Sequence, residues 1–282
     1  MERAIVDDIA LEYEVVGTGE PVVLIHGALI ADAFRPLLAE PALARGYRLI
    51  AYHRRGYAGS GGTPTPTSVA RQVADCRALL RHLGVARAHV VGHSTGGAIA
   101  LQLALDAPTL VHSLALLEPA LAFGASGQAY RDALARGTQR YREAGAAVVV
   151  DEFLAARFGA GYRDWLDRAV PGAFAQAVAD AGTTFEAELP GLQDWRCGEA
   201  EVRRIAQPVL TILGAESDAL WPRFGETHRL LLDWLPHGTG FILPNATHAM
   251  QMQNPRNLAE ALAAFFARHP LLTHSAPPNL PS

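Results

Sequence analysis

The chain predicts an α/β fold built on a parallel, doubly wound sheet. Three observations carry the prediction. Apolar runs such as Val22-Val23-Leu24-Ile25 are continuous rather than alternating, the pattern of a strand covered on both faces. These runs alternate along the chain with stretches of helical periodicity. One strand–turn–helix junction carries Gly92-His93-Ser94-Thr95-Gly96, a G-x-S-x-G pattern in the setting where it marks a nucleophile.

Taken in order, residues 3–6 and 11–16 predict two early strands, with a turn at 17–20. Residues 21–26 predict a fully buried strand and 47–52 another. Helix is expected over 68–83, with Val69, Val73, Cys76, Leu80 and Leu83 on one face and Gly84 as the stop. Residues 88–91 form the strand that feeds the elbow, and 97–105 lie in the helix that leaves it. That strand and helix nearly touch, which demands small residues; Gly92, Gly96 and Gly97 supply them. The next strand, 113–117, ends at Glu118-Pro119. The alternation then lapses. Residues 120–204 hold amphipathic helical stretches, clearest at 130–141, 148–158 and 162–170, and no buried strand. It returns with strand 208–213, helix 224–235, strand 239–243 and helix 255–268. Asn254 caps that last helix and Pro255 occupies its first turn. The reading is one core domain, residues 1–119 and 205–272, interrupted by a helical insertion at 120–204. Residues 273–282, with three prolines and little to bury, read as a frayed tail.

Composition narrows the function classes. A formal net charge of −4 without long like-charge runs gives no electrostatic case for nucleic acid or an anionic membrane. The chain contains no lysine, which excludes lysine nucleophiles and Schiff-base chemistry. Its two cysteines, Cys76 and Cys197, have no metal-like or redox-like spacing, and Cys76 reads as a buried inert thiol. No signal-peptide core and no membrane-length apolar run occur, so a cytoplasmic monomer or homodimer acting on a small molecule is expected.

A serine hydroxyl needs a base, and the base needs an acid to orient it. His248 is the candidate base, in the loop Pro244-Asn245-Ala246-Thr247-His248 at the carboxyl end of the sheet. The chain order serine, acid, histidine admits Glu118 and Asp218, with Glu216 a distant third. Asp218 has an ordinary alternative as the cap of the helix that follows Pro222. Glu118, flanked by Leu116, Leu117 and Pro119, is a half-buried charge that needs a partner. The backbone N–H of Thr95 is one candidate oxyanion donor. The second comes from His26-Gly27-Ala28, with the Ala28 nitrogen chosen ahead of that of Leu29. His26 is read as a structural hydrogen-bonder. His93 is read as a supporting residue directed away from the pocket.

Four blocks make the chain resemble the α/β-hydrolase superfamily over nearly its whole length. They are His26-Gly27, Tyr52-His53-Arg54-Arg55-Gly56-Tyr57-Ala58-Gly59-Ser60, Gly92-His93-Ser94-Thr95-Gly96-Gly97, and Ala246-Thr247-His248. In the second block His53 replaces the family's aspartate and Ala58 a glycine; that element is structural. The resemblance implies an eight-stranded, mostly parallel sheet with helices on both faces and a helical cap inserted after the sixth strand. It implies an acid after the seventh strand, commonly as Gly-x-x-Asp; here Ser217 has that spacing and Asp218 comes one residue late. In a subset that includes haloalkane dehalogenases and zearalenone lactonases the acid follows the sixth strand. The spacing from Ser94 to Glu118 is similar to theirs, so both acids stay open.

A serine nucleophile sets aside the dehalogenases and epoxide hydrolases of this fold, which use aspartate. Ester, lactone, thioester or vinylogous C–C hydrolysis and cofactor-free perhydrolysis remain, all through Ser94, with no cofactor or metal. Apolar and aromatic residues in 120–204 lead to the expectation of an uncharged, fairly hydrophobic carbonyl substrate. No arginine can be assigned to a carboxylate clamp at this level. The competing class is a small-molecule receptor of the same fold, as in the gibberellin system, where the triad is incomplete.

Overall fold

The structure, a computed structural model, describes residues 1–62 and 65–271. The tail expected at 273–282 lies outside the described residues. Eight strands form one sheet: β1 (Glu2–Val6), β2 (Ile9–Val16), β3 (Glu20–Ile25), β4 (Tyr47–Tyr52), β5 (Ala88–His93), β6 (Val111–Leu117), β7 (Val209–Gly214) and β8 (Gly238–Leu243). Their order is β1-β2-β4-β3-β5-β6-β7-β8. The β1–β2 and β2–β4 pairs are antiparallel and all others parallel.

The continuous apolar runs explain how this sheet is covered. Successive side chains of a strand point to opposite faces. Val22 and Leu24 pack on one face with Leu49, Val91 and Ile212, beneath the Pro255–Arg268 helix and its Phe265 and Phe266. Val23 and Ile25 pack on the other with Ile50, Val90 and Leu116, beneath the Val69–His82 and Thr95–Asp106 helices. A one-residue slip would exchange the two sets, so the register is strongly specified.

Helix ends follow their local chemistry. Ser68 accepts a hydrogen bond from Arg71 N at 3.1 Å, and Gly84 takes φ +68° beyond the other end. Asn254 accepts from Asn257 N at 3.4 Å ahead of Pro255. Between β6 and β7 the described chain is helical, the longest elements being Gly127–Ala144 and Ala146–Phe158. Several elements escape the sequence pattern. Arg35–Leu38, Pro41–Ala44 and Ser217–Leu220 have four residues each, too few to display a period. Thr183–Glu188 is π-helical, so its side chains do not follow a 3.6-residue repeat.

That π-helical turn is fixed to the loop after β4. Arg54 and Glu188, both fully buried, form an ion pair, and Arg54 also bonds to Gln72 Oε1 and Gly27 O. Tyr57 Oη meets Thr184 Oγ1 at 2.9 Å, Thr183 Oγ1 donates to Gly56 O at 2.7 Å, and Ala58 N donates to Asp180 at 3.0 Å. Removing one partner of a buried pair leaves the other uncompensated. Arg54→Met is therefore expected to cost about 3–5 kcal/mol. In Tm this is a fall on the order of 10 °C for a chain of this size. The double variant Arg54→Met/Glu188→Leu should recover much of it. A single variant melting within about a degree of the parent would disprove the assignment.

Candidate active site

The strand order reverses beside β3: the chain runs outward to β4 and then back across to β5 on the other side. The loops after β3 and β5 meet there at the carboxyl ends of the strands, the place where open α/β sheets bind ligands. Ser94 stands there, between β5 and the Thr95–Asp106 helix, at φ +52° and ψ −119°. A β-carbon bearing residue rarely adopts that conformation, and only close packing holds it. A methyl group at Gly92 would lie 2.4 Å from Gly96 O, and one at Gly96 would lie 2.0 Å from Ile25 O. The turn can be this tight only because both are glycine.

The loop after β3 abuts the serine, since a methyl group at Gly27 would fall 3.0 Å from Ser94 Cβ. Ala28 follows at once, and Leu29 takes φ +68° in a turn in which Ile30 N donates to Ala28 O at 2.9 Å. His26 is spent on structure: Nδ1 donates to Gly27 O at 2.7 Å and Nε2 accepts from Arg54 N at 2.9 Å. His93 supports the histidine loop. Its Nε2 donates to His248 O at 2.7 Å and its Nδ1 accepts from Gln251 at 3.1 Å. Burial first, then the His248 ring, lowers its pKa to about 3.

The structure brings Glu118, not Asp218, to His248. Glu118 Oε2 accepts from His248 Nδ1 at 2.6 Å, with both residues buried, and its Oε1 accepts from Gly214 N at 2.8 Å. Glu118 sits at φ +41°, turned off the end of β6 toward the histidine. Asp218 is spent elsewhere: its Oδ1 accepts from Gly225 N at 2.5 Å in the first turn of the Arg223–Trp234 helix, the capping role that was its alternative. Glu216 is exposed. His248 Nε2 makes no hydrogen bond among the described residues, and its ring packs against those of Phe224 and His93, with centroids 4.5 and 4.6 Å away.

The electrostatics follow from burial. Burial pushes the Glu118 carboxyl up to about 7, while the Ser217 hydroxyl and Gly214 N–H oppose the rise. Burial, then the Arg157 and Arg223 guanidiniums, hold His248 well below the ordinary imidazole range. Cys76 is raised to about 12 by burial, consistent with an inert thiol. Among the described residues no group of three or more His, Cys, Asp or Glu side chains is arranged to hold a metal, and no helix is long and apolar enough to cross a membrane.

With this geometry in hand, comparison with known proteins is direct. The family pattern of the alpha/beta hydrolase fold matches residues 20–255. The chain belongs to the α/β-hydrolase superfamily. A relative in Mycobacterium tuberculosis, named as a candidate non-heme bromoperoxidase, is 31% identical over 92% of this chain and 98% of its own length. A candidate carbamate hydrolase of Variovorax paradoxus is 30% identical over 92% and 96%. Among solved structures, the enol-lactonase of Burkholderia xenovorans LB400 superposes with a TM-score of 0.80 at 21% identity, over 94% of this chain and 100% of that one. A thermophilic esterase of Thermogutta terrifontis gives 0.81 at 21%, over 96% and 100%.

Two departures of this α/β-hydrolase from the family pattern now have a physical account. His53, in place of an aspartate, is held by hydrogen bonds between Glu12 at 3.2 Å and Asp32 at 3.1 Å, so the loop keeps a polar anchor at this position. Ser217, at the spacing of the usual acid, is fully buried, and its hydroxyl favours the ionised form of Glu118 without completing a hydrogen bond in this geometry. Its spacing was visible in the sequence; its pairing with the other acid was not. Arg157 and Arg223 were also invisible, because only tertiary packing puts them near His248.

Proposed function

We propose that this hydrolase cleaves a carboxylic ester or lactone through Ser94, His248 and Glu118. The observation that carries the reading is the buried 2.6 Å contact of Glu118 with His248 Nδ1, which leaves Nε2 as the proton acceptor. In acylation His248 Nε2 takes the Ser94 Oγ proton as Oγ attacks the carbonyl carbon. The oxyanion is received by the N–H groups of Ala28 and Thr95, and His248 then passes its proton to the departing oxygen. Water, activated by the same nitrogen, releases the acid. Glu118 keeps the Nδ1–H tautomer and stabilises the imidazolium. The segment 120–204 acts as a cap that bounds the substrate. A complete set of serine, base and acid favours turnover over a receptor role. The test is labelling by a fluorophosphonate: the mass increment should fall on the peptide containing Ser94, and labelling elsewhere would remove the nucleophile from this site.

A second reading on the same residues is supported by the name of the Mycobacterium tuberculosis relative. Hydrogen peroxide in place of water would convert the acyl-enzyme to a peracid, which oxidises bromide. Acetate-dependent bromination that requires Ser94 is the discriminating assay; Ser94-independent bromination counts against it.

The acid and base should titrate as a pair. As the pH falls the dyad takes up one proton, and either site of uptake removes the working base. With Glu118 near 7, kcat/KM should rise with pH through an acid limb near 7 and then level. In Glu118→Gln the residual limb belongs to His248 alone and should move below its ordinary value. An unmoved limb would assign it to another group.

A further inference from the structure

Resting on the hydrolase reading above, we propose that Arg157 and Arg223 form a pocket for a carboxylate carried by the substrate. Arg223 is 4% exposed; one nitrogen donates to Leu121 O at 2.6 Å, and Nε has no partner. Its guanidinium lies 3.7 Å from the Tyr130 ring centroid and 5.1 Å from that of Trp221. Arg157 comes to the same Trp221 ring at 4.8 Å, rests on Phe153 at 3.4 Å and donates to Phe153 O at 2.9 Å. Two cations thus share one aromatic wall.

Among the described residues neither has a carboxylate within ion-pair distance, whereas buried Arg54 has Glu188 and Arg55 has Asp75. The acids nearby are committed: Glu118 to His248 and Gly214 N, Glu226 to Ala125 N and Ser126 N. Like charges withdrawn from water without a counter-ion are costly. Burial lowers Arg157 to about 9; Tyr130 opposes the shift and the like charge of Arg223 adds to it. A carboxylate is the planar, two-oxygen partner that a guanidinium fork receives best.

The position suits a substrate. Phe224, adjacent to Arg223, stacks on the His248 ring at 4.5 Å, and Phe158, adjacent to Arg157, lies 6.5 Å from it. Both arginines are thus one residue from an aromatic ring that packs near His248. Arg157 and Trp221 also wall a cavity of about 440 Å³ in the helical segment; it does not reach Ser94 or His248, and Arg136 and Arg140 line it as well. Glu152, its one carboxylate, is taken by Arg140 at 2.8 Å. Arginines thus outnumber free carboxylates around this cavity. The expected uncharged substrate becomes an apolar body with one anionic end.

The test compares p-nitrophenyl valerate with mono-p-nitrophenyl glutarate, which differ in a terminal methyl against a carboxylate. The glutarate ester should have the higher kcat/KM by at least about tenfold, and Arg157→Met should lower that ratio by about the same factor. Arg157 is chosen because Arg223 also supports Leu121, so its loss would confound folding. Independently of turnover, calorimetry on Ser94→Ala should show glutarate binding that weakens at least about tenfold when Arg157→Met is added. Turnover of both esters without preference, with glutarate binding indifferent to Arg157, overturns the anion pocket and leaves the hydrolase. Arg157-dependent glutarate binding with no turnover of either ester overturns the hydrolase reading and keeps the pocket.

Discussion

Ser94→Ala is expected to lower kcat for p-nitrophenyl esters by about 10⁶-fold, with the chain still folded. The elbow is held by backbone contacts: Gly97 N and Ala120 N both donate to Ser94 O, and Ser94 N donates to Leu117 O. None involves the hydroxyl. Alanine carries the same β-carbon at φ +52° and meets the same strain. The variant therefore removes the nucleophile alone, and Tm should shift by no more than about 2 °C, the scale of a small stability change. What activity persists comes from the N–H donors and binding. Parent-like turnover from a folded variant would place the chemistry elsewhere.

Glu118→Gln against Asp218→Asn gives the second large effect. Both Glu118 oxygens accept from N–H groups, so an amide must turn its NH2 toward one of them; facing Nδ1 it selects the wrong tautomer and cannot balance the developing charge, so kcat should fall by about 10⁴-fold. Asp218→Asn removes charge from a helix start and touches neither His248 nor Ser94. Its kcat should stay within about twofold, with a loss of about 0.3–1 kcal/mol in stability, the scale of a charge at a helix start. The reverse ranking would return the acid to the seventh strand. Equal, small losses would remove both carboxylates from the mechanism.

Much of this was legible in the chain. Strands buried on both faces announce themselves by unbroken apolar runs, which is why β3, β4 and β6 fall within two residues of their predicted bounds. Ser94 and His248 stood out as candidates because their loops carry local signatures; the choice between Glu118 and Asp218 had no such signature. Chain order and spacing cannot tell a carboxylate that turns inward at φ +41° from one that caps the next helix, and that difference lies in backbone direction beyond β6 and β7. Arg157 and Arg223 were illegible for another reason: an arginine in a helix is ordinarily solvated, and their meeting on Trp221 is a long-range event.

The bonds that join the loop after β4 to the π-helical turn have a mechanical consequence. With Arg54, Tyr57, Ala58 and Thr67 fastened to Glu188, Thr184, Asp180 and Ala187, one margin of the helical segment is riveted down. Any swing of that segment must use this margin as its axle. The Ala146–Phe158 helix touches this margin through Phe153 on Phe185 and reaches His248 through Phe158 in its last turn. Opening would withdraw Arg157 from the base, and shutting would return it. Access and charge would then be geared together, since Arg157 would travel with the segment while Arg223, in the Arg223–Trp234 helix, would stay behind.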